Sequence, residues 1–357
     1  MYKQIKLLDH HIIAGQDSLT VFKTLFESGD YQDRSFFILA DENTEYYCLK
    51  TLKEYLPKSI NIPVITVPSG EKQKNLQTAE KIWKTLSQYH ADRDAVLVNL
   101  GGGVISDIGG FVASSYKRGI SFINIPTTLM GMIDAAIGGK TAVNLNDTKN
   151  IIGSFKHPDS IFIKPVFLNT LSHFELLSGY AEILKYALIN DTSLWDILKY
   201  KSFPEFDSLE DLISFSILIK AEIVEQDPYE KGIRKTLNFG HTFGHAFETF
   251  LNHKEQTISH GAAVAAGMIC EAYLSMRIND LRKESFNEIE ETIHLNFSKL
   301  SIYKNDIQEL ISIMKYDKKN QKDKINCSLL NSIGKCRYNQ LIPEKLLIET
   351  LIFYIHG

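Results

Sequence analysis

The sequence predicts an α/β fold in two parts, a Rossmann-like α/β domain over residues 1–170 followed by an all-α domain over 171–357. Three observations carry this. Short β-rich runs alternate with helical periodicity in the first half, a glycine-rich turn directly follows a continuous apolar strand, and strand signal nearly vanishes after Leu171. A chain of 357 residues is long enough for two domains of ordinary size.

Ser35–Ala40 and Ile62–Val67 read as short strands, and Asn75–Tyr89 carries helical spacing of Leu76, Ala79, Ile82, Trp83 and Leu86. Ala95–Leu100 (A-V-L-V-N-L) is apolar throughout, as expected of a parallel strand covered on both faces. A helix from Val104 to Tyr116 and a strand at Ser121–Ile125 complete a βαβ unit, whose ligands gather beyond the carboxyl ends of the strands. In the second half, helical periodicity runs through Gly179–Ile189, Leu209–Glu225, Lys235–Leu251, Ala262–Ile278 and Ile307–Met314. One hairpin interrupts it, Lys324–Leu329 with Lys335–Leu341, joined through Asn331-Ser332-Ile333-Gly334. A site between the halves is the default expectation.

Composition narrows the function classes. Apolar content of 44% and charged content of 23% are those of a soluble globular protein, and no apolar run reaches the length of a membrane span. The start, Met1-Tyr2-Lys3-Gln4-Ile5-Lys6, has no secretory h-region, and Cys48, Cys270, Cys327 and Cys336 show no C-x-x-C, so a reducing cytoplasm is expected. A net charge of −4 gives no reason to expect a nucleic-acid partner.

Gly101-Gly102-Gly103 ends the apolar strand and opens a helix. That context lets backbone approach a pyrophosphate, with helix N–H groups aimed at its charge. The spacing is not G-x-G-x-x-G, and the alternative is a tight turn required only by packing. A second turn runs from Pro126-Thr127-Thr128 to Gly138-Gly139-Lys140-Thr141, where threonine can cap a helix that the glycines end. A P-loop is rejected, since it requires Gly where Asp134 stands. Lys149-Asn150 and Arg118-Gly119 add polar groups that alone read as solvated surface.

His241 and His245 stand four apart on one helix face, and His260 follows in a run of small residues. Imidazoles so spaced are common ligands of first-row metals, and a nearby carboxylate would complete a three-ligand site with an open position. The alternative is three unrelated histidines, two of them packed in a helix interface. Thr242 after the first histidine excludes the zinc-peptidase motif. Glu182 and Lys185 share a helix face in apolar surroundings, and Lys220, Asp227, Glu230 and Arg234 lead into the histidines, which suggests an anionic substrate.

Together these pieces resemble the 3-dehydroquinate synthase family. Ser69-Gly70-Glu71-x-x-Lys74, the triple glycine with Asp107, Asp134 with Gly-Gly-Lys140-Thr141, Lys149-Asn150, Gly-x-x-Glu182-x-x-Lys185 and L-N-F-G-H-T-F-G-H occur in family order between Asp41 and Lys319. The resemblance implies that NAD is held by Asp41, Asn43, Glu71, Lys74, Gly102, Gly103, Asp107, Thr127, Thr128, Lys140, Lys149, Phe167 and Thr170. It implies Glu182, His241 and His260 as ligands of a divalent metal, zinc or cobalt, which moves His245 to the substrate side. The sugar-phosphate substrate, 3-deoxy-arabino-heptulosonate 7-phosphate, would meet Asp134, Lys140, Asn150, Lys185, Lys220, Arg234, Asn238 and His245. Arg118 would reach the phosphate from the neighbouring subunit of a homodimer, and Lys318 or Lys319 would also approach the substrate. The implied reaction is transient oxidation by NAD, β-elimination of phosphate, re-reduction and intramolecular aldol closure. Three departures from the family pattern, Ala135 after Asp134, Pro228 after Asp227 and Ser172 after Leu171, leave open a sibling cyclase acting on sedoheptulose 7-phosphate or glucose 6-phosphate. A metal-dependent alcohol dehydrogenase is the further alternative.

Overall fold

A computed structural model of the chain describes residues 1–27, 29, 31–146, 148–204, 208–315 and 325–356. Lys318, Lys319 and the first residue of the expected hairpin, Lys324, lie outside the described residues. The chain forms two compact units, Met1–Ser172 and His173–Gly357.

In the first unit the elements run β1 (Tyr2–Leu7), β2 (His10–Gly15), α1 (Ser18–Leu25), β3 (Phe36–Asp41), α2 (Glu42–Tyr47), α3 (Leu49–Lys53), β4 (Val64–Val67), α4 (Leu76–Gln88), β5 (Val96–Gly101), α5 (Gly103–Ser115), β6 (Ser121–Pro126), β7 (Lys140–Leu145), β8 (Thr148–Phe155) and β9 (Ser160–Ile163). Seven strands form one sheet in the order β1-β2-β9-β6-β5-β3-β4. All neighbours in it pair in parallel except β1 with β2. The apolar reading of β5 follows from its central place, since every residue in it is buried. Leu97 packs in one cluster with Ile82 and Leu86 of α4 and Ile105, Ile108 and Val112 of α5. Chain order reverses between β3 and β5, so the crevice outside their carboxyl ends is the expected ligand position of such a sheet. Asp41 ends β3 and the glycines end β5.

Five strands of this unit, β1, β2, β7, β8 and β9, escaped the strand pattern. β9 is only four residues long, and the β7–β8 hairpin replaces what reads from sequence as a loop after a helix end. At the β1–β2 turn, burial and then the neighbouring His157 push the His10 imidazole down to about 4.

The second unit runs α6 (His173–Asn190), α7 (Thr192–Leu198), α8 (Leu209–Gln226), α9 (His241–His253), α10 (His260–Ile278), α11 (Lys283–Asn296), α12 (Ile307–Lys315), β10 (Ile325–Ser332), β11 (Lys335–Ile342) and α13 (Glu344–His356). It is helical apart from the β10–β11 hairpin, so "all-α" is corrected by that one antiparallel pair. The helix expected over Lys235–Leu251 is also corrected, because a 3₁₀ turn at Ile233–Asn238 ends before Gly240, and α9 starts afresh at His241. Gly240 has φ +81, a left-handed conformation that breaks the helix. The break lets α9 lie directly on α10, where a Cβ at Gly267 would stand 1.9 Å from the Gly240 carbonyl oxygen. Among the described residues, no helix is long and apolar enough to cross a membrane.

Candidate active site

In the α/β unit, Lys74 is buried and its Nζ lies 3.0 Å from Asp107 Oδ2 and 3.1 Å from Glu71 Oε1. Burial pulls its pKa down, but Asp107 and then Glu71 outweigh it and hold the ammonium above its usual range. These three residues, 36 positions apart at the extremes (107 minus 71), therefore form one charged network. Gly102 precedes α5 with no side chain capping the helix, which leaves the first-turn amides for an anion. A Cβ at Gly102 would meet the Thr128 methyl at 2.8 Å, and Thr127 N donates to the Gly101 carbonyl at 3.1 Å. The close packing of the two turns thus itself requires glycine, beside any need of a phosphate. Thr128 Oγ1 accepts from Gly131 N at 3.0 Å and starts the short π-helical run Gly131–Ala135 that carries Asp134.

Asp41 caps α2, its Oδ1 accepting from Thr44 N at 2.9 Å, while Asn43 is exposed on the first turn. Thr170 is brought back to this corner, where it hydrogen-bonds the Cys48 thiol. Burial first and Asp41 second push that thiol up to about 11, against the pull of Thr170. Phe167 is buried beneath, and its carbonyl accepts from Thr170 Oγ1 at 3.1 Å. Lys140, Lys149 and Asn150 stand exposed on the β7–β8 hairpin.

Asn144 escaped the sequence reading. Its Nδ2 donates to Glu71 Oε1 at 2.9 Å, its Oδ1 accepts from Asn150 N at 2.8 Å, and its backbone N donates to the Lys74 carbonyl at 2.8 Å. One side chain so ties Glu71 to the hairpin, with Asn150 held at φ 53. The sequence signal was present only as polarity at an inward strand position. Arg118 stands apart from these residues, exposed in a turn where Lys117, Arg118 and Gly119 all take positive φ.

In the helical unit, α6 buries Glu182 completely beside Lys185, whose Nζ pairs with Glu182 Oε2. Glu182 Oε1 lies 3.4 Å from His241 Nε2. The Lys185 ammonium compensates one oxygen of this buried carboxylate and neither oxygen accepts a conventional hydrogen bond, which leaves Oε1, on the His241 side, available to a second cation. His241, His245 and His260 offer ring nitrogens within 4.8 Å of one another. His241 Nδ1 lies 3.1 Å from the Phe239 carbonyl and His260 Nδ1 lies 3.1 Å from Glu248 Oε2, contacts that orient both rings as second partners do around bound metals. The donor set, three imidazoles and a buried carboxylate, fits a divalent ion of the zinc class. The geometry brings His245 as close as His260, so it does not separate the two roles that the resemblance assigns them.

Around this cluster, Lys220 is buried on α8, and Arg234 is buried with its Nη1 donating to the Pro228 carbonyl at 2.6 Å. Asp227 accepts from Gly232 N at 2.6 Å, Lys231 N at 2.9 Å and Arg234 N at 3.1 Å. Burial raises Asp227, but those three amides outweigh it and keep the carboxyl below its usual range. Asn238 Nδ2 donates to Glu230 Oε1 at 2.8 Å.

Fold and side chains define a class: a Rossmann-like α/β unit followed by a helical unit that carries a histidine–carboxylate cluster suited to a divalent metal. Residues 64–178 match the model of the 3-dehydroquinate synthase N-terminal domain and residues 179–320 that of the 3-dehydroquinate synthase C-terminal domain. The chain belongs to the 3-dehydroquinate synthase family. It is 42% identical over 325 residues to the 3-dehydroquinate synthase of Parabacteroides distasonis, covering 89% of this chain and 90% of that one. It is 42% identical over 327 residues to that of Campylobacter jejuni subsp. doylei, covering 89% and 92%. Among solved structures, a 2-deoxy-scyllo-inosose synthase complexed with carbaglucose-6-phosphate, NAD+ and Co2+ aligns with TM-score 0.83 at 24% identity, over 98% of this chain and 99% of that one. The 2-epi-5-epi-valiolone synthase of Streptomyces hygroscopicus, with NAD+ and Zn2+ bound, aligns with TM-score 0.80 at 24% identity, over 99% and 98%. The glycerol dehydrogenase of Schizosaccharomyces pombe shares the fold more distantly, with TM-score 0.64 at 15% identity over 99% and 91%.

Proposed function

We propose that this chain is a 3-dehydroquinate synthase that converts 3-deoxy-arabino-heptulosonate 7-phosphate to 3-dehydroquinate and phosphate, with NAD and a divalent ion, zinc or cobalt, as cofactors. The observation that carries the reading is the fully buried Glu182, paired with Lys185 through one oxygen and set against His241 of a three-histidine cluster through the other, within a chain of this family. Glu182, His241 and His260 would hold the metal, and the crevice from Asp41 through Gly102, Gly103 and the Glu71–Lys74–Asp107 network would hold NAD. When bound, NAD would take and return one hydride at a ring carbinol while the metal polarises that oxygen as a Lewis acid.

The chain's own residues would bind and orient. Lys185, Lys220 and Arg234 supply buried cationic groups for phosphate and carboxylate, and the contacts of Asp227 and Pro228 fix the Arg234 backbone and fork before substrate arrives. Asn238 is held by Glu230, and His245 is left to the substrate side. Asp134, Lys140 and Asn150 would contact the sugar phosphate, with Lys149 beside them on the hairpin. In the elimination, the C–H adjacent to the new ketone gives its proton to the substrate's phosphate as the C–O bond to that phosphate breaks. A homodimer in which the exposed Arg118 guanidinium serves the neighbouring subunit, and a cytoplasmic location, belong to the same reading.

Incubation with NAD, zinc and each of three sugar phosphates tests this, with inorganic phosphate and the product as readouts. Phosphate release with 3-dehydroquinate from the heptulosonate is expected. Release only from sedoheptulose 7-phosphate or glucose 6-phosphate overturns the assignment, and net accumulation of NADH indicates an alcohol dehydrogenase instead.

A further inference from the structure

A second group of metal-ligating side chains lies in the α/β unit, outside the residues assigned above. Asp9 lies in the β1–β2 turn, His10 is the first residue of β2, and His157 sits between β8 and β9. Parallel pairing of His11 with Ser160 brings the two segments side by side. The His10 and His157 rings stack with centroids 5.1 Å apart at 19°. One donor atom from each of Asp9, His10 and His157 lies within 4.8 Å of the others.

Two features are hard to account for by packing alone. His10 is 1% exposed, and its Nε2 is buried without a hydrogen-bond partner, while its Nδ1 has only a 3.5 Å approach to Asp9 Oδ1. A buried imidazole nitrogen left so carries an uncompensated desolvation cost, which a core aromatic of the same shape would avoid. Stacked neutral imidazoles also give each other no hydrogen bond. Two imidazoles and a carboxylate are instead a common donor set for first-row divalent ions, with no thiolate to favour softer ones. Asp9 is exposed, so the cluster is open to solvent on one side.

We propose that Asp9, His10 and His157 form a second divalent-cation site, of the zinc and cobalt class, that clamps the β1–β2 turn to the segment between β8 and β9. Bonds of about 2.0–2.2 Å require the donors to draw closer and the half-buried His157 ring to turn out of its stack on His10, since lone pairs in near-parallel ring planes do not converge on one ion, while Asp9 stands in an exposed turn. The clamp acts on a functional turn. Lys156 N donates to the Gly139 carbonyl at 2.8 Å, and a Cβ at Gly139 would stand 2.5 Å from His157 Nδ1. His157 thus rests on the glycine that precedes Lys140, and a bound ion stiffens the start of β7.

The test uses the full chain, stripped with chelator, loaded with cobalt alone and desalted, with metal counted by elemental analysis and by the visible d–d spectrum. Alongside the wild type stand Asp9→Asn, His157→Gln and the double variant His241→Ala/His260→Ala. The double variant is expected to retain bound cobalt, and His157→Gln and Asp9→Asn to lose one equivalent relative to the wild type. Unchanged cobalt in His157→Gln, with the metal-free melting temperature also unchanged, overturns the site, as does a double variant that binds none. Failure of the other cluster reads differently, since the wild type would then hold cobalt that His157→Gln alone removes. His10 is left unaltered because its burial invites misfolding.

Discussion

Glu271 offers the most exacting test of how this fold holds its histidines. The residue sits on α10, fully buried, and its carboxylate accepts from Gly240 N at 2.9 Å and Thr242 N at 3.0 Å. His241 lies between those two amides, at the first position of α9. The carboxylate therefore caps the helix and sets the backbone from which the ring projects, a positioning role exercised through Gly240 and Thr242. Glu271→Gln keeps the shape but turns one acceptor into an amide that faces a backbone N–H. Loss of one charge-assisted hydrogen bond costs about 1.5–3 kcal/mol, and loss of negative charge at a helix N-terminus adds up to about 2. Relief of burying a charge offsets part of this, leaving about 2–4 kcal/mol. At about 2–4 °C per kcal/mol for a cooperative unit of about 150–250 residues, the range that holds the unit His173–Gly357, the melting temperature of that unit should fall by roughly 5–15 °C. The assay is a thermal melt of the metal-free protein by circular dichroism, with cobalt affinity measured on the same samples and expected to weaken. A third readout isolates the charge. Burial first and Glu271 second push the thiol of half-exposed Cys336 upward, so the variant should titrate with a thiol reagent at lower pH. An unchanged melt together with unchanged Cys336 reactivity would refute the argument that Glu271 is an ionised cap.

Other changes probe the remaining contacts. His241→Ala should lose the metal of the helical unit, whereas His245→Ala should keep it and lose turnover; metal loss from both would return His245 to the ligand set. Asn144→Asp should place an oxygen against Glu71 Oε1 and weaken NAD binding while keeping the acceptor for Asn150 N, and Asn144→Ala should lose both contacts and about 1–2 kcal/mol of stability. Equal NAD affinity in all three proteins, by equilibrium titration, would refute the link. Asp227 has a folded-state pKa held below its ordinary 3.8, so its contribution is complete above that value and is lost as pH falls through the lower one. Asp227→Asn should therefore flatten the acid limb of a stability–pH curve below about pH 4, and a wild-type slope there would count against the amide cage.

Much of this protein was legible before any tertiary information. The buried, evenly apolar β5 and the amphipathic α4 follow from local periodicity, and strand-then-glycine-then-helix marked the turn from β5 into α5. The order of short motifs identified the family. Helical spacing also put Glu182 and Lys185 on one face, because residues three apart on a helix are neighbours whatever surrounds them.

What remained was decided by contacts distant in sequence. No local rule shows that His260 joins His241, because their approach depends on α9 lying against α10 at Gly240 and Gly267, where any side chain would collide with backbone. The same packing broke the expected helix at Gly240 and brought Glu271 onto the freed amides. Asn144 reads from sequence as one polar residue among several, and its role as a tie appears only when β7 runs beside Lys74. The glycines after β5 show the same division: sequence marks the turn, and only the fold reveals that Thr128 occupies the space a side chain would need. Periodicity and motif order are carried by the chain itself, whereas burial, buried carboxylates and shared ligand sets exist only after separate segments exclude water from one another.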